Sequence, residues 1–176
     1  MELMTPQFDP ERWGCGESLG TGLDKETFAA IYIDDLGQPI KTQLVLKHQH
    51  GRYSTEHREG QTKQELDAHN YLLGNIKHDW AKAALTWLSQ IVGWWEDDAE
   101  DVWILQERVE IQGWDTPNPV DIWNTPISNL PDQGGSNSGL HPVTGKPVSC
   151  DYGLAKPEDL RYLGDTALLR ARGASA

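Results

Sequence analysis

Between Val109 and Asp132 this chain cannot build a long helix. Pro117, Pro119, Pro126 and Pro131 interrupt the stretch. Proline has no amide donor, and its ring clashes with the preceding helical turn. The interruption separates two textures. Before it, strand-like runs and turn signals surround one strong helical segment. After it come loops, one short strand and a closing helix. The 176 residues suffice for one domain with a real core or for two small lobes. Local pattern on both sides points to an α+β protein.

In the first texture, Thr27–Ile33 and Thr42–Lys47 read as strands on either side of a turn at Asp35-Leu36-Gly37. Strand alternation puts Gln43, Val45 and Lys47 on one face, with Leu44 and Leu46 on the other. A polar stretch, 48–59, follows. The spacing predicts a helix from Gln61 to Leu73 that Gly74 ends. On it Glu65, His69 and Leu72 share a face beside a Leu66–Leu73 stripe. Asp79–Leu88 reads as a second, short helix. Gln90–Trp95 and Asp101–Val109 read as a hairpin, its acidic tip Glu96–Asp101 a solvated turn.

In the second texture, Pro147–Cys150 is a short strand leading to Asp151. A last helix opens at Pro157 with Glu158 and Asp159 in its first turn. It carries Leu160, Leu163, Leu168 and Leu169 and ends near Arg172-Gly173. Residues 1–12 read as a loose leader and 173–176 as a frayed tail.

Charge narrows the partners. A net charge of -12 repels the phosphates of nucleic acid and favours a basic protein surface. No apolar run approaches the length of a membrane span. The opening Met-Glu-Leu-Met-Thr-Pro has no signal-peptide character. Cys15 and Cys150 have neither metal-ligand spacing nor a disulfide framework around them. The expected setting is therefore the cytoplasm. His48, His50 and His57 lie in a polar stretch without cysteine support and read as surface histidines. Neither a G-x-S-x-G elbow nor a G-x-x-x-x-G-K-[ST] loop occurs.

Polar residues of a different kind recur in a fixed order. Val45-Leu46-Lys47 ends a strand, and Glu65 lies on the following helix. Trp103–Val109 is a later strand. Asp132 and Asn137 stand five apart, and Asp151-Tyr152-Gly153 follows. Over roughly residues 14–156 this order resembles the protein kinase superfamily, whose elements include V-A-I-K, H-R-D-x-x-x-x-N and D-F-G. The resemblance implies a truncated, kinase-like fold. Residues 13–110 would form an antiparallel-sheet N-lobe with one main helix. Residues 111–172 would form a much reduced C-lobe carrying the catalytic-loop and D-Y-G elements.

The resemblance also implies roles. Lys47 grips nucleotide phosphates and Glu65 pairs with it. Gly20-Thr21-Gly22 covers the phosphates, although Lys25 stands where the family's third glycine would be. Backbone groups of Glu107 and Val109 contact adenine, and Gln106 guards the back of that pocket. Asp132 faces the acceptor hydroxyl, while Asn137 and Asp151 hold metal. ATP and Mg²⁺ are the implied cofactors. The implied reaction is transfer of the γ-phosphoryl to a hydroxyl of a protein or small molecule.

Three departures count against ordinary kinase activity: Leu130-Pro131 replaces the family's His-Arg before Asp132, the segment from the hinge to that loop is short and proline-broken, and no A-P-E element follows Gly153. The shortened second lobe and the net charge of -12 motivate a rival expectation, a non-catalytic, pseudokinase-like acidic protein. Such a protein binds and inhibits or recruits a partner protein, as a viral protein directed at a host enzyme would.

Overall fold

The computed structural model describes residues 4–21, 25–49, 60–111, 124–133 and 137–173. They gather into two compact units. One comprises Thr5–Leu66 and Ile91–Arg108. The other comprises Asp67–Gln90 and the chain from Val109, with the first residues. The division does not fall at residue 110, as a simple cut into lobes would have it. The sheet unit borrows only the start of the main helix.

The sheet unit is built on five antiparallel strands: β1 (Trp13–Thr21), β2 (Lys25–Ile33), β3 (Pro39–Gln49), β4 (Ile91–Glu96) and β5 (Val102–Glu107). Their order is β1-β2-β3-β5-β4. The β2–β3 turn closes because the Asp34 carboxylate accepts from the amides of Leu36 and Gln38, at 2.9 and 2.8 Å. Gly37 supplies the left-handed residue, φ 73°. The β4–β5 turn repeats the device: Asp97 accepts from Ala99 and Asp101.

Register fixes which side chains meet. Lys47 stands opposite Thr27 on β2 and Ile104 on β5, and Val45 stands opposite Gln106. Side chains two apart share a face. Lys25, Thr27, Val45, Lys47, Ile104 and Gln106 therefore line one face. The other packs Ala30, Leu46 and Leu105 with Phe8, Trp13 and Leu44.

Two expectations are corrected here. Residues 13–21 form a full strand, which was not foreseen because Gly14, Gly16 and Gly20 dilute its β pattern. Of the expected loose leader, Thr5–Phe8 are held against β4, and residues 1–3 lie outside the described residues. Thr5 is buried, the Phe8 amide donates to the Trp94 carbonyl at 2.9 Å, and the Trp94 amide donates to Pro6 at 3.1 Å. The Trp94 indole also donates to the Thr5 carbonyl. The segment covers the outer edge of β4, which would otherwise expose its backbone donors and acceptors.

Helix α1 (Gln61–Gly74) begins in the sheet unit and continues into the second. Its Glu65, Leu66, His69 and Leu72 are all buried. The second unit adds α2 (Asp79–Leu85), a small sheet of β6 (Glu110–Ile111), β7 (Ser138–Leu140) and β8 (Pro147–Ser149), and α3 (Pro157–Gly173). Helix α2 stops at Leu85, short of Leu88. Lys146 reaches its end, donating to the Thr86 carbonyl and hydroxyl at 2.8 and 2.9 Å. A cation there complements the helix dipole.

Helix α3 starts at Pro157 and places Arg170 and Arg172 in its last turn. Its buried stripe is Leu160, Leu163, Gly164 and Ala167. Leu169 is exposed instead of packed, because the helix turns it away from the face that Gly164 brings against α2. Residues 174–176 of the expected tail lie outside the described residues. Among the described residues, no helix is long and apolar enough to cross a membrane.

Candidate functional site

Glu65 lies in the second turn of α1 and is fully buried. A carboxylate there must be matched by donors, and the sheet face supplies them. Lys47 Nζ lies 3.1 Å from Oε1 and 3.2 Å from Oε2. Gln106 Nε2 donates to Oε1 at 2.9 Å. Lys25 Nζ lies 3.4 Å from Oε2. Lys25, Lys47 and Gln106 are themselves buried. Removing Glu65 would strand two ammonium groups away from water, a loss of the kind that typically costs about 3–5 kcal/mol.

Sequence reasoning named the Lys47–Glu65 pair, and the structure brings the two into contact. It treated Lys25 only as a departure from a glycine motif and Gln106 only as a pocket wall. Both meet the same carboxylate. The register explains the arrival of Lys25: it is two residues before Thr27, which stands opposite Lys47. Gly20 is a strand residue paired with Thr27, not part of a loop; Gly22 lies outside the described residues. Glu107 ends β5, paired with Leu44. The chain passes to the second unit between Arg108 and Val109.

The second unit holds Asp132, Asn137 and Asp151 in one stitched segment. Asp132 is exposed and adopts φ 54°, a left-handed conformation that aspartate tolerates better than most residues. The Asn137 Nδ2 donates to the Asp132 carbonyl at 2.6 Å. The Cys150 amide donates to the Asn137 carbonyl at 2.9 Å. Gln133 Nε2 donates to the Asp151 carbonyl at 3.0 Å, and the Ser149 hydroxyl to the same oxygen at 3.3 Å. These bonds tie Asp132, Gln133 and Asn137 to the end of β8. The Asn137 bond also identifies which amide atom is the oxygen, the atom a hard cation takes.

Tyr152, next to Asp151, is buried. Its hydroxyl donates to the Ser89 carbonyl at 3.0 Å and lies 3.3 Å from His69 Nδ1. With the phenolic proton committed to Ser89, the oxygen accepts from Nδ1–H. Burial pushes the His69 pKa down to about 4, so the imidazole is neutral at pH 7. Cys150 is a buried free thiol.

A third cluster lies on the sheet unit. His48 Nε2 is 3.6 Å from Asp101 Oδ2 and 4.0 Å from Asp97 Oδ2. Its ring stacks on Trp103 with centroids 4.0 Å apart. The three ligand atoms lie within 4.8 Å of one another, close enough to hold a cation. Partial burial opposes ionisation of Asp97. The Trp103 indole, the Asp101 and Ala99 amides and the His48 charge together prevail and lower its pKa. Sequence reasoning instead grouped His48 with His50 and His57, which lie outside the described residues. It missed the strand-end geometry that brings the acidic turn to His48.

No protein-family model matches this chain, and no curated protein matches it.

Proposed function

We propose that the protein is a kinase-like phosphotransferase that uses ATP and Mg²⁺ to phosphorylate a hydroxyl of a protein or small molecule. The observation that carries this reading is the buried Lys47–Glu65 ion pair, with Lys47 touching both carboxylate oxygens. A surface lysine gains little from such a pair. A buried one is held at a fixed point, as gripping a phosphate requires.

The other roles follow from donor chemistry. Mg²⁺ would supply charge neutralisation of the phosphates. Asn137 and Asp151 would hold it, one through an amide oxygen and one through a carboxylate. These are the hard ligands it takes, usually one or two side chains with phosphate and water completing its shell. Asp132 is exposed and would orient the acceptor hydroxyl. Backbone groups at Glu107 and Val109 would hold adenine. Both cysteines are free thiols, in keeping with work in the cytoplasm.

Thermal unfolding with ATP, with and without Mg²⁺, tests the nucleotide claim. The expected result is a higher melting temperature with ATP and a larger rise with Mg²⁺ present. An unchanged curve removes the claim. In a phosphotransferase assay, Asp151→Ala is expected to abolish turnover, and activity surviving in that variant removes the metal role.

A second reading is favoured by Leu130-Pro131 before Asp132 and by the net charge of -12. It is a non-catalytic acidic protein on the same scaffold that binds a basic partner. Such a complex needs no nucleotide and is released by salt.

A further inference from the structure

His48, Asp97 and Asp101 have no part in the nucleotide reading, and their geometry asks for an occupant. His48 is the penultimate residue of β3 and stands directly opposite Trp103 on β5. The two rings stack with centroids 4.0 Å apart, which fixes the imidazole plane. Asp97 is held as firmly. Its Oδ1 accepts from the Ala99 and Asp101 amides, and its Oδ2 accepts from the Trp103 indole. Trp103 therefore orients both a histidine and a carboxylate, as the outer partners of metal sites orient their ligands.

The His48 Nε2 atom is the group left over. It is shielded from solvent, yet it has no hydrogen-bond partner among the described residues. Asp101 Oδ2 at 3.6 Å and Asp97 Oδ2 at 4.0 Å lie beyond the usual hydrogen-bond reach of about 3.2 Å. Ligands that share one ion stand apart in this way. Bonds of about 2.1 Å to a tetrahedral ion hold its ligands about 3.4 Å from one another. A small inward movement of two carboxylates completes such a site. The Asp97 and Asp101 side chains are 22% and 31% exposed, so an ion can enter from their side.

We propose that His48, Asp97 and Asp101 bind a divalent transition-metal ion of the zinc type. An imidazole nitrogen selects such an ion over Mg²⁺ and Ca²⁺, which take oxygen ligands. Two carboxylates balance its charge, and water fills the fourth position. The ion joins the end of β3 to both sides of the β4–β5 turn, so binding stabilises the sheet unit. The nucleotide reading uses none of these residues and stands or falls separately.

The test uses the full chain, stripped with EDTA and titrated calorimetrically with ZnCl₂ in the absence of nucleotide. Wild type is compared with His48→Gln, Asp101→Asn and, as a control for stray histidine binding, His78→Gln. Wild type and His78→Gln are expected to bind one zinc per chain, with millimolar Mg²⁺ failing to displace it. His48→Gln and Asp101→Asn should bind about ten- to hundredfold more weakly. Zinc should raise the melting temperature of wild type but not of Asp101→Asn. Asp101→Asn keeps the side-chain size and the backbone bonds of the turn, so it carries the test where His48→Gln does not fold. Wild type that takes up no zinc overturns the proposal. Zinc binding unchanged in both site variants overturns it too, since other residues then hold the ion. Mg²⁺ competing on equal terms overturns the assignment to a zinc-type ion.

Discussion

Burial holds the His69 pKa at about 4, whereas in the unfolded chain it returns to about 6.5. The unfolded state therefore takes up a proton below pH 6.5 that the folded state refuses until about pH 4. Stability from this residue is complete above pH 6.5 and is lost as pH falls through that window. The full loss is about 3 kcal/mol. Urea unfolding at pH 7.5 and pH 5 measures it, with His69→Gln as the reference. The drop between the two pH values should shrink in His69→Gln by most of that amount. An equal drop in both proteins would mean that other groups set the acid response.

At the scale of elements, α3 meets α2 closely at Gly164. A Cβ built there would lie 2.8 Å from the Trp80 carbonyl carbon and closer still to its oxygen. Two effects of Gly164→Ala compete. Helix propensity alone favours alanine by about 1 kcal/mol. Overpacking against backbone costs about 3 kcal/mol, because no side chain can swing away. The clash wins, and denaturant unfolding should show a net loss of about 2 kcal/mol. A gain in stability would mean that α3 can retreat from α2 freely.

The same elements show what the sequence could and could not disclose. Helices α1 and α3 were legible because a 3.6-residue apolar pattern ends at a glycine and, for α3, begins at a proline. β2 and β3 were legible from alternation around the Asp34–Gly37 turn. β1 was not, since its glycines weaken the pattern and its partner, not its own residues, holds it in a sheet. The three-residue strands β7 and β8 are too short for periodicity to register all of them. Of the candidate site, the pairing of Lys47 with Glu65 was anticipated only as what the resemblance to the kinase superfamily implies. The arrival of Lys25 and Gln106 at Glu65 could not, because it depends on which residues stand opposite one another across three strands. His48 with Asp97 and Asp101 escaped for the same reason.

For the whole molecule, the net charge of -12 and the proposed phosphate contact of Lys47 would act over different distances. Lys47 is buried and would act at contact. The overall field reaches out to the Debye length, about 10 Å at 0.1 M salt, and repels an anionic nucleotide before contact. Salt screens the distant repulsion more than the local attraction. Stopped-flow association of ATP at fixed excess Mg²⁺ should therefore quicken as NaCl rises from low to physiological strength, by about two- to threefold. A basic protein partner experiences the opposite sign, and its association should slow over the same range. The direction of the salt effect thus separates the two readings without needing the acceptor or the partner to be known. A nucleotide rate that falls with salt would show that a local positive field reaches past the acidic surface, and the long-range argument from net charge would have to be abandoned.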